Sequence, residues 1–389
     1  MAEALLRPAG EPPAPDPALV PRRTSAGRVL LRTLAVLLLV ACGVLTLGAV
    51  LSNTGPAGLV VGLALAIVPV FPVVAAFLWL DRYEAEPPAL LLFAFGWGAF
   101  VATLVSLAVN SASSVFILQA GGEASATAVF VAPVVEEVSK GTGVLLILLL
   151  RRREFDGVVD GIVYAGMAGV GFAFVENILY LGRSFLESGG GAAVATFIVR
   201  CIFSPFAHPL FTMATGIGLG LAARYRSPAV RVLAPLVGLL VAILLHGTWN
   251  ASASLGFNGF VGTYVAVQIP LFVAAVVIAL LVRRREARLL RRHLVAYAGS
   301  GWLTAAEVRM LSSLHERARA RDWAGRTLGP VARRSMRGFQ EQASELAFLR
   351  ERMVNGTAAH DAQDVELRTL QTMWHLRRGF LPQPVAAGR

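Results

Sequence analysis

Apolar residues gather in eight long runs, at 29–51, 58–80, 89–111, 127–150, 161–182, 193–223, 232–251 and 260–282. All but the sixth are close to the roughly 20 residues a helix needs to cross a hydrocarbon layer of ~30 Å. The pattern predicts an all-α fold: a polytopic transmembrane helical bundle of about eight spans. Segments between the runs are short, and their polarity alternates. Arg22, Arg23, Arg28 and Arg32 mark one side; Asp81–Arg82, Arg151–Arg153, Arg224–Arg231 and Arg283–Arg285 recur at every second boundary. The SNTGPA, QAGGEAS and SASLGFNG segments contain no Lys or Arg. Basic residues favour the cytoplasmic side of a membrane, so the expectation is a multi-pass protein of the cell membrane with both termini cytoplasmic.

The sixth run exceeds one straight span and contains Pro205 and Pro209, which predicts a kinked or broken helix there. Backbone groups freed by a break are tolerated at membrane depth only against protein or a water-filled cavity. Past the eighth run the pattern changes to Arg, Ala, Glu and Leu at helical spacing, as in RRSMRGFQEQASELAFLRERM, where Leu346, Leu349 and Met353 share one face. The expected organisation is a disordered cytoplasmic N-terminal segment over 1–28, a transmembrane bundle over 29–282, and a soluble cytoplasmic helical region over 283–389. Residues 1–21 are rich in Pro and Ala, and the first run is too long for a signal-peptide core, so it reads as a retained span.

Composition agrees: 56% of the 389 residues are hydrophobic and only 15% charged, the balance of an integral membrane protein. A net charge of +11 would ordinarily raise nucleic acid as a partner. The basic residues instead cluster where apolar runs end, so the charge reports topology and the lipid bilayer is the partner it implies. Cys42 and Cys201 both fall in apolar runs, which excludes a disulfide framework. High Ala, Gly, Arg and Val with few Lys suggests a GC-rich bacterial genome.

Ionisable residues inside spans cost about 2.5–3.5 kcal/mol each on insertion scales, so they default to a functional reading. The fourth run carries Glu136, Glu137 and Lys140, the fifth Glu176 and Asn177, the sixth Arg200 and His208, and the seventh His246 and Asn250. Glu136 and Lys140 face one side of their helix while Glu137 is rotated by about 100°, so one carboxylate pairs with the ammonium and its neighbour points elsewhere. At 1.5 Å per residue, Glu136 lies roughly 14 Å below the outer end of its helix, and Glu176 and His246 lie about 22 Å from the cytoplasmic ends of theirs. These groups therefore share a depth, and His208 falls near it. Arg200 is expected to pair with a carboxylate or snorkel, Asp156 and Asp160 to cap the fifth helix, and Trp79 and Tyr83 to anchor at the interface.

Such a layer can activate water. A buried carboxylate is a general base near neutral pH, and His or Asn side chains donate to the oxyanion of a tetrahedral intermediate. This is a peptide-hydrolysis constellation without a covalent nucleophile, since neither Gly-x-Ser-x-Gly nor HExxH is present. Bland alternatives are a buried ion pair that fixes helix register and hydrogen-bonded polar seams between helices. A proton-coupled transporter could use the same carboxylates and histidines, although the two halves show no repeat. No cofactor is required by this chemistry and no residue is assigned as a metal ligand, yet two His and a Glu also suit zinc.

Four ordered motifs then carry a likeness: Glu136-Glu137-x-x-Lys140; Phe172-x-x-x-Glu176-Asn177-x-x-Tyr180; His208 in HPLFTMATGIGLG; and His246 with Asn250 in HGTWN. Together with DRYEAEPP at 81–88 and DGIVYAGMAGVGFAF at 160–174, they resemble the PrsW family of intramembrane proteases over roughly residues 60–255. That family is similar in motif arrangement to the CAAX prenyl endopeptidase and bacteriocin-processing group, described as glutamic membrane proteases. The resemblance implies a membrane-embedded peptidase that cleaves a peptide bond in or beside the membrane, with regulated proteolysis of a membrane-anchored protein as its setting. It implies one Glu of the pair as base, Glu136 being favoured over Glu137, with His208, His246 and Asn250 polarising water or the oxyanion and Lys140, Glu176 and Asn177 in support. The Arg-rich tail lies outside the resemblance and reads as a module that docks a partner or the anionic leaflet.

Overall fold

The computed structural model describes residues 26–123, 125–152 and 154–381. The N-terminal reading over 1–28 therefore lies, up to residue 25, outside the described residues. Among the described residues every regular element is helical: α1 (Ala26–Leu80), α2 (Pro88–Gly96), α3 (Thr103–Gln119), α4 (Ala132–Leu150), α5 (Val158–Phe197), α6 (Ala207–Arg224), α7 (Pro228–Ala253), α8 (Gly256–Thr263), α9 (Ile269–Gly299), α10 (Ala305–Leu311), α11 (Leu314–Leu328), α12 (Pro330–Val354) and α13 (Ala362–Arg378). Short π-helical turns at Trp97–Ala102, Thr127–Val131, Ile198–Phe203 and Tyr264–Gln268 lead into or link these helices. The protein is a polytopic membrane protein: five helical stretches, Val29–Leu80, Pro88–Gln119, Val158–Arg224, Pro228–Ala253 and Gly256–Gly299, are long and apolar enough to cross a bilayer. The run at 127–150 is not among them, because α4 carries Glu136, Glu137 and Lys140 within five residues.

Two of the long stretches are not continuous rods. Gly55, at φ 61°, interrupts α1 where SNTGPA predicted a loop, and Gly189, at φ 79°, interrupts α5. Positive φ is costly for residues with a Cβ, so glycine marks both points. A third interruption matches the expectation for the sixth run. The π-helical turn ends at Phe203, Ser204–Phe206 leave the helix, and α6 restarts at Ala207 with His208 and Pro209 in its first turn.

The described residues divide into two compact units, one within 26–81 and 86–279, the other within 82–85 and 280–381. The first is built around α5, whose residues from Val159 to Phe172 are all buried. Small residues let backbones meet, as they do in membrane helix packing. A Cβ on Gly161 would stand 2.0 Å from the Gly216 carbonyl oxygen, and one on Gly169 would stand 2.7 Å from Pro209 Cα. The second of these approaches presses the start of α6, and so His208, against α5. Asp160 accepts from the backbone N–H of Asp156 and Gly157 at 2.7 and 2.8 Å, the capping role its position predicted.

The second unit packs Leu290, Leu294, Leu311, Met336, Phe339, Leu346 and Phe380 in its core. Thr304 and Glu307 form a reciprocal capping box at the start of α10. Leu346 and Leu349 of α12 are buried, as their spacing predicted, while Met353 is only half-buried. Tyr83 corrects the reading that made it an interfacial anchor. It is 7% exposed, donates to the Ser312 carbonyl, and lies under the buried Arg317 guanidinium at 5.4 Å. The aromatic ring is held by a cation and packed side chains, which override its interface preference.

Candidate active site

Residues from α3, α4, α5, α6 and α7 converge in the first unit. Starting from α4, Glu136, Glu137 and Lys140 are all buried, at 5, 0 and 0% exposure. A buried charge must be paired or hydrogen-bonded, and the partners show how each is held. Lys140 Nζ donates to Glu137 Oε1, lies 3.4 Å from His208 Nδ1, and sits over the Phe172 ring at 4.4 Å. The ammonium thus belongs to Glu137 three residues away, and Glu136, which shares its helix face, turns elsewhere. Both spacings place side chains side by side on a helix; contacts from other helices decide between them.

Glu137 is fully engaged. Its Oε1 meets Lys140 and lies 3.0 Å from His246 Nδ1, and its Oε2 accepts from Thr212 Oγ1 at 2.9 Å. Glu136 is half engaged. Asn110 Nδ2 donates to its Oε1 at 3.3 Å, while its Oε2 is buried with no hydrogen-bond partner and lies 3.7 Å from His246 Nε2. Both carboxylates accept, and the closer contact decides: Nδ1, 3.0 Å from Glu137, carries the proton of a neutral imidazole, which leaves Nε2, 3.7 Å from Glu136 and beyond hydrogen-bond reach, without one.

His208 is set in the opposite tautomer. Its Nε2 lies 2.7 Å from Glu176 Oε2, an acceptor, and its Nδ1 faces the Lys140 ammonium, a donor. The proton therefore sits on Nε2 and the Nδ1 lone pair points inward. The imidazoles of His208 and His246 stand edge to face with centroids 5.0 Å apart. Phe172 and Phe211 wall them in, at 5.4 Å from His208 and 5.3 Å from His246 respectively.

The structure brings together Glu136, Glu137, Lys140, His208, His246 and Glu176; helix depth alone had placed Glu136, Glu176 and His246 in one layer, with His208 near it. Asn177 touches this group only through Arg200, whose Nε donates to Asn177 Oδ1 at 2.8 Å and whose Nη2 bonds Glu176 Oε2. Asn250 is not joined to the cluster: its Nδ2 donates to the Ala128 carbonyl at 2.8 Å, tying α7 to the turn before α4. Two participants escaped sequence reasoning, Asn110 and Thr212. Each left a signal, Asn110 as a carboxamide in an apolar run and Thr212 as the residue four after His208 on the same helix face.

The donor set also bears on metal binding. Glu136, His208 and His246 each offer one ligand atom, and the three atoms lie within 4.8 Å of one another. Two imidazoles and a carboxylate are a known zinc set with an open position, and each His leans on a further carboxylate, Glu137 or Glu176, as metal-bound imidazoles do. With Glu136 Oε2 unpartnered, these residues fit a divalent ion.

Comparison with known proteins adds a family. A model described as "PrsW family intramembrane metalloprotease" matches residues 86–304, which include every residue of the cluster. The chain is 28% identical over 191 residues to "Protease PrsW" of Clostridioides difficile (strain 630), covering 48% of this chain and 78% of that protein. It is 29% identical over 184 residues to "Protease PrsW" of Bacillus subtilis (strain 168), covering 47% and 78%. With "Protease PrsW" of Oceanobacillus iheyensis the identity is 33% over 117 residues, covering 30% of this chain and 49% of that protein. No solved structure gives a significant match.

Proposed function

The chain belongs to the PrsW family, whose model spans more than half of its length, and on that premise we propose that it is a membrane protease hydrolysing a peptide bond in or next to the bilayer. One observation carries the mechanism. Among the carboxylates of the cluster, Glu136 alone has a buried oxygen without a hydrogen-bond partner, and that oxygen faces the bare Nε2 of His246 at 3.7 Å. Two acceptors held this close form a cradle for the two protons of a water molecule. Glu136 takes one proton as the water oxygen attacks the scissile carbonyl carbon, and returns it to the amine as the C–N bond breaks. Glu137, with every contact satisfied, orients His246 and neutralises Lys140. The Lys140 ammonium, held between Glu137 and His208, supplies positive charge within the cluster for the developing oxyanion.

A second reading rests on the donor geometry of Glu136, His208 and His246. A zinc ion held by these three residues would supply Lewis acidity and a bound water of lowered pKa. In that reading Glu137 and Glu176 keep the roles their contacts define, fixing the tautomers of His246 and His208. The two readings part in a single experiment: purified protein is stripped with chelator, its metal content measured, and cleavage of a reporter peptide followed with and without added zinc. Full turnover without stoichiometric metal supports Glu136 as base; recovery only with zinc supports it as ligand.

The finer architecture follows the same premise. At 1.5 Å per residue, stretches of 52 and 67 residues would measure about 80 and 100 Å as straight helices, far beyond a ~30 Å core. Breaks at Gly55 and Gly189 therefore support two crossings from each, and with α4 included the count reaches eight. The alternation of Arg-bearing boundaries supports cytoplasmic termini. The substrate class is a membrane-anchored protein, and the setting regulated proteolysis. Quantitative N-terminal proteomics comparing wild type with Glu136→Gln in the native host tests both. Loss of termini near the spans of particular membrane proteins identifies substrates; unchanged termini would end this reading. The Arg-rich residues 283–389 would form a soluble module docking a partner or the leaflet surface.

A further inference from the structure

We propose that Arg200 is a positioning residue for the site: through Glu176 it fixes His208 with its Nε2 protonated and its Nδ1 lone pair turned toward Lys140 and the centre of the cluster. The activity readout of this proposal rests on the protease reading; its geometry does not.

Arg200 and His208 lie on different rigid pieces. Arg200 is in the π-helical turn Ile198–Phe203, and His208 is in the first turn of α6, beyond the break at Ser204–Phe206. Across the break the backbone is joined by the Ser204 N–H to the Val199 carbonyl and by the Ala207 N–H to the Ser204 carbonyl, both at 3.1 Å, contacts that set the chain's path but neither the carboxylate nor the imidazole orientation. They meet at a single atom of α5, Glu176 Oε2, which receives Arg200 Nη2 and lies 2.7 Å from His208 Nε2. The guanidinium is itself over-determined. Its Nε donates to Asn177 Oδ1 at 2.8 Å, and its plane lies over the Tyr180 ring with its central carbon 4.1 Å from the centroid. One side chain thus grips Glu176, Asn177 and Tyr180 of α5. None of its bonds reaches Glu136, Glu137, Lys140 or His246.

The consequence for His208 follows from donor counting. Glu176 can only accept and the Lys140 ammonium can only donate, so both neighbours require the same tautomer. A carboxylate with one partner fewer can rotate about its terminal torsion, which is broad and weakly restrained. Without Arg200, Glu176 keeps only the imidazole to hold it, and the carboxylate and ring lose their common orientation. Lysine cannot replace the arrangement, because the two contacts need separate N–H groups in one rigid plane and a flat face for Tyr180.

The test uses full-length protein in lipid nanodiscs, labelled with nitrogen-15 histidine, with the His208 signals identified by their loss in His208→Gln. In wild type the His208 signals are expected to show Nε2 protonated and Nδ1 bare or metal-bound, and in Arg200→Gln a mixture of tautomers. With a reporter peptide, Arg200→Gln is expected to lower kcat by about 10- to 100-fold, the scale of outer-shell substitutions, with KM nearly unchanged. Arg200→Lys should not restore kcat, and the double variant Arg200→Gln/Glu176→Gln should be no slower than the slower single variant. An unchanged His208 tautomer in both Arg200 variants, full rescue by Lys, or multiplying losses in the double variant would each overturn the proposal. If Arg200→Gln does not fold, Arg200→Lys takes its place: a wild-type His208 tautomer, a wild-type kcat, or multiplying losses in Arg200→Lys/Glu176→Gln would each overturn the proposal. Should wild type show no peptidase activity at all, the protease reading fails, and the nitrogen-15 spectra still decide the role of Arg200.

Discussion

His246 divides its two ring nitrogens between neighbouring carboxylates: Nδ1 is 3.0 Å from Glu137, and Nε2 is 3.7 Å from Glu136. Adjacent residues on one helix are thereby given different work. Glu137 is bonded on both oxygens, and Glu136 keeps one free.

That division predicts two different failures. Glu136→Gln is expected to lower kcat by at least about 100-fold, the scale of losing a general base, with thermal unfolding in nanodiscs near that of wild type. Glu137→Gln leaves the buried Lys140 without its counter-charge, and is expected to destabilise the protein by about 3–5 kcal/mol as well as to lose activity. Equal stability of the two variants would contradict the assignment.

His246 and Asn250 lie four residues apart in HGTWN, yet only His246 is in the cluster. His246→Gln should cost about 100-fold or more in kcat/KM. Asn250→Ala removes one bond to a backbone carbonyl, and its effect should be a stability loss of about 1 kcal/mol with less than a tenfold change in rate. A loss from Asn250→Ala as large as that from His246→Gln would show that this carboxamide reaches the substrate.

Gly169 faces Pro209 at a distance no Cβ can occupy. Gly169→Ala should push α6 away from α5, cost about 1–3 kcal/mol as overpacking does, and displace His208 with it. Gly48→Ala, inside α1 where a Cβ meets nothing within 4 Å, is the control and should leave the rate unchanged and stability equal to wild type or higher by up to about 1 kcal/mol.

Asp81, just past the end of α1, is 3% exposed. Burial, with the negative charge of Asp160 adding to it and a bond from the Glu86 N–H opposing it, pushes its carboxyl from an ordinary 3.8 up to about 8. Between those values the folded chain holds a proton that the unfolded chain has released, so stability falls as pH rises from about 4 to about 8. Asp81→Asn should flatten that decline and raise the melting temperature at pH 8 by at least about 2 °C, with no gain at pH 4. Melting curves across this range check it, and an unaltered slope would assign the dependence to other groups.

Much of this protein was legible without coordinates. Apolar runs near bilayer length, ending in alternating basic boundaries, dictate helices in a membrane, because only helices and closed barrels satisfy the backbone there and a barrel strand is about half as long as these runs. Pro205 and Pro209 announced the break before His208, and the cost of burying charge singled out Glu136, Glu137, Lys140, Glu176, His208 and His246. Depth, which is simple arithmetic along a helix, placed Glu136, Glu176 and His246 in one layer, with His208 near it.

What depth could not supply is the angle at which each helix faces its neighbours. Sequence spacing allowed Lys140 to pair with either carboxylate, and only the approach of Thr212 and His246 to Glu137 settled it. The same packing turned Asn250 toward Ala128, brought Asn110 to Glu136, and made Arg200 a clamp on Glu176. Tyr83, apolar enough for an interface, was drawn instead beneath Arg317. Hydrophobicity and charge are properties of single residues and are carried by the chain itself. Which oxygen meets which nitrogen depends on several helices at once, because hydrogen bonds are directional and short, and that exists only in the folded molecule.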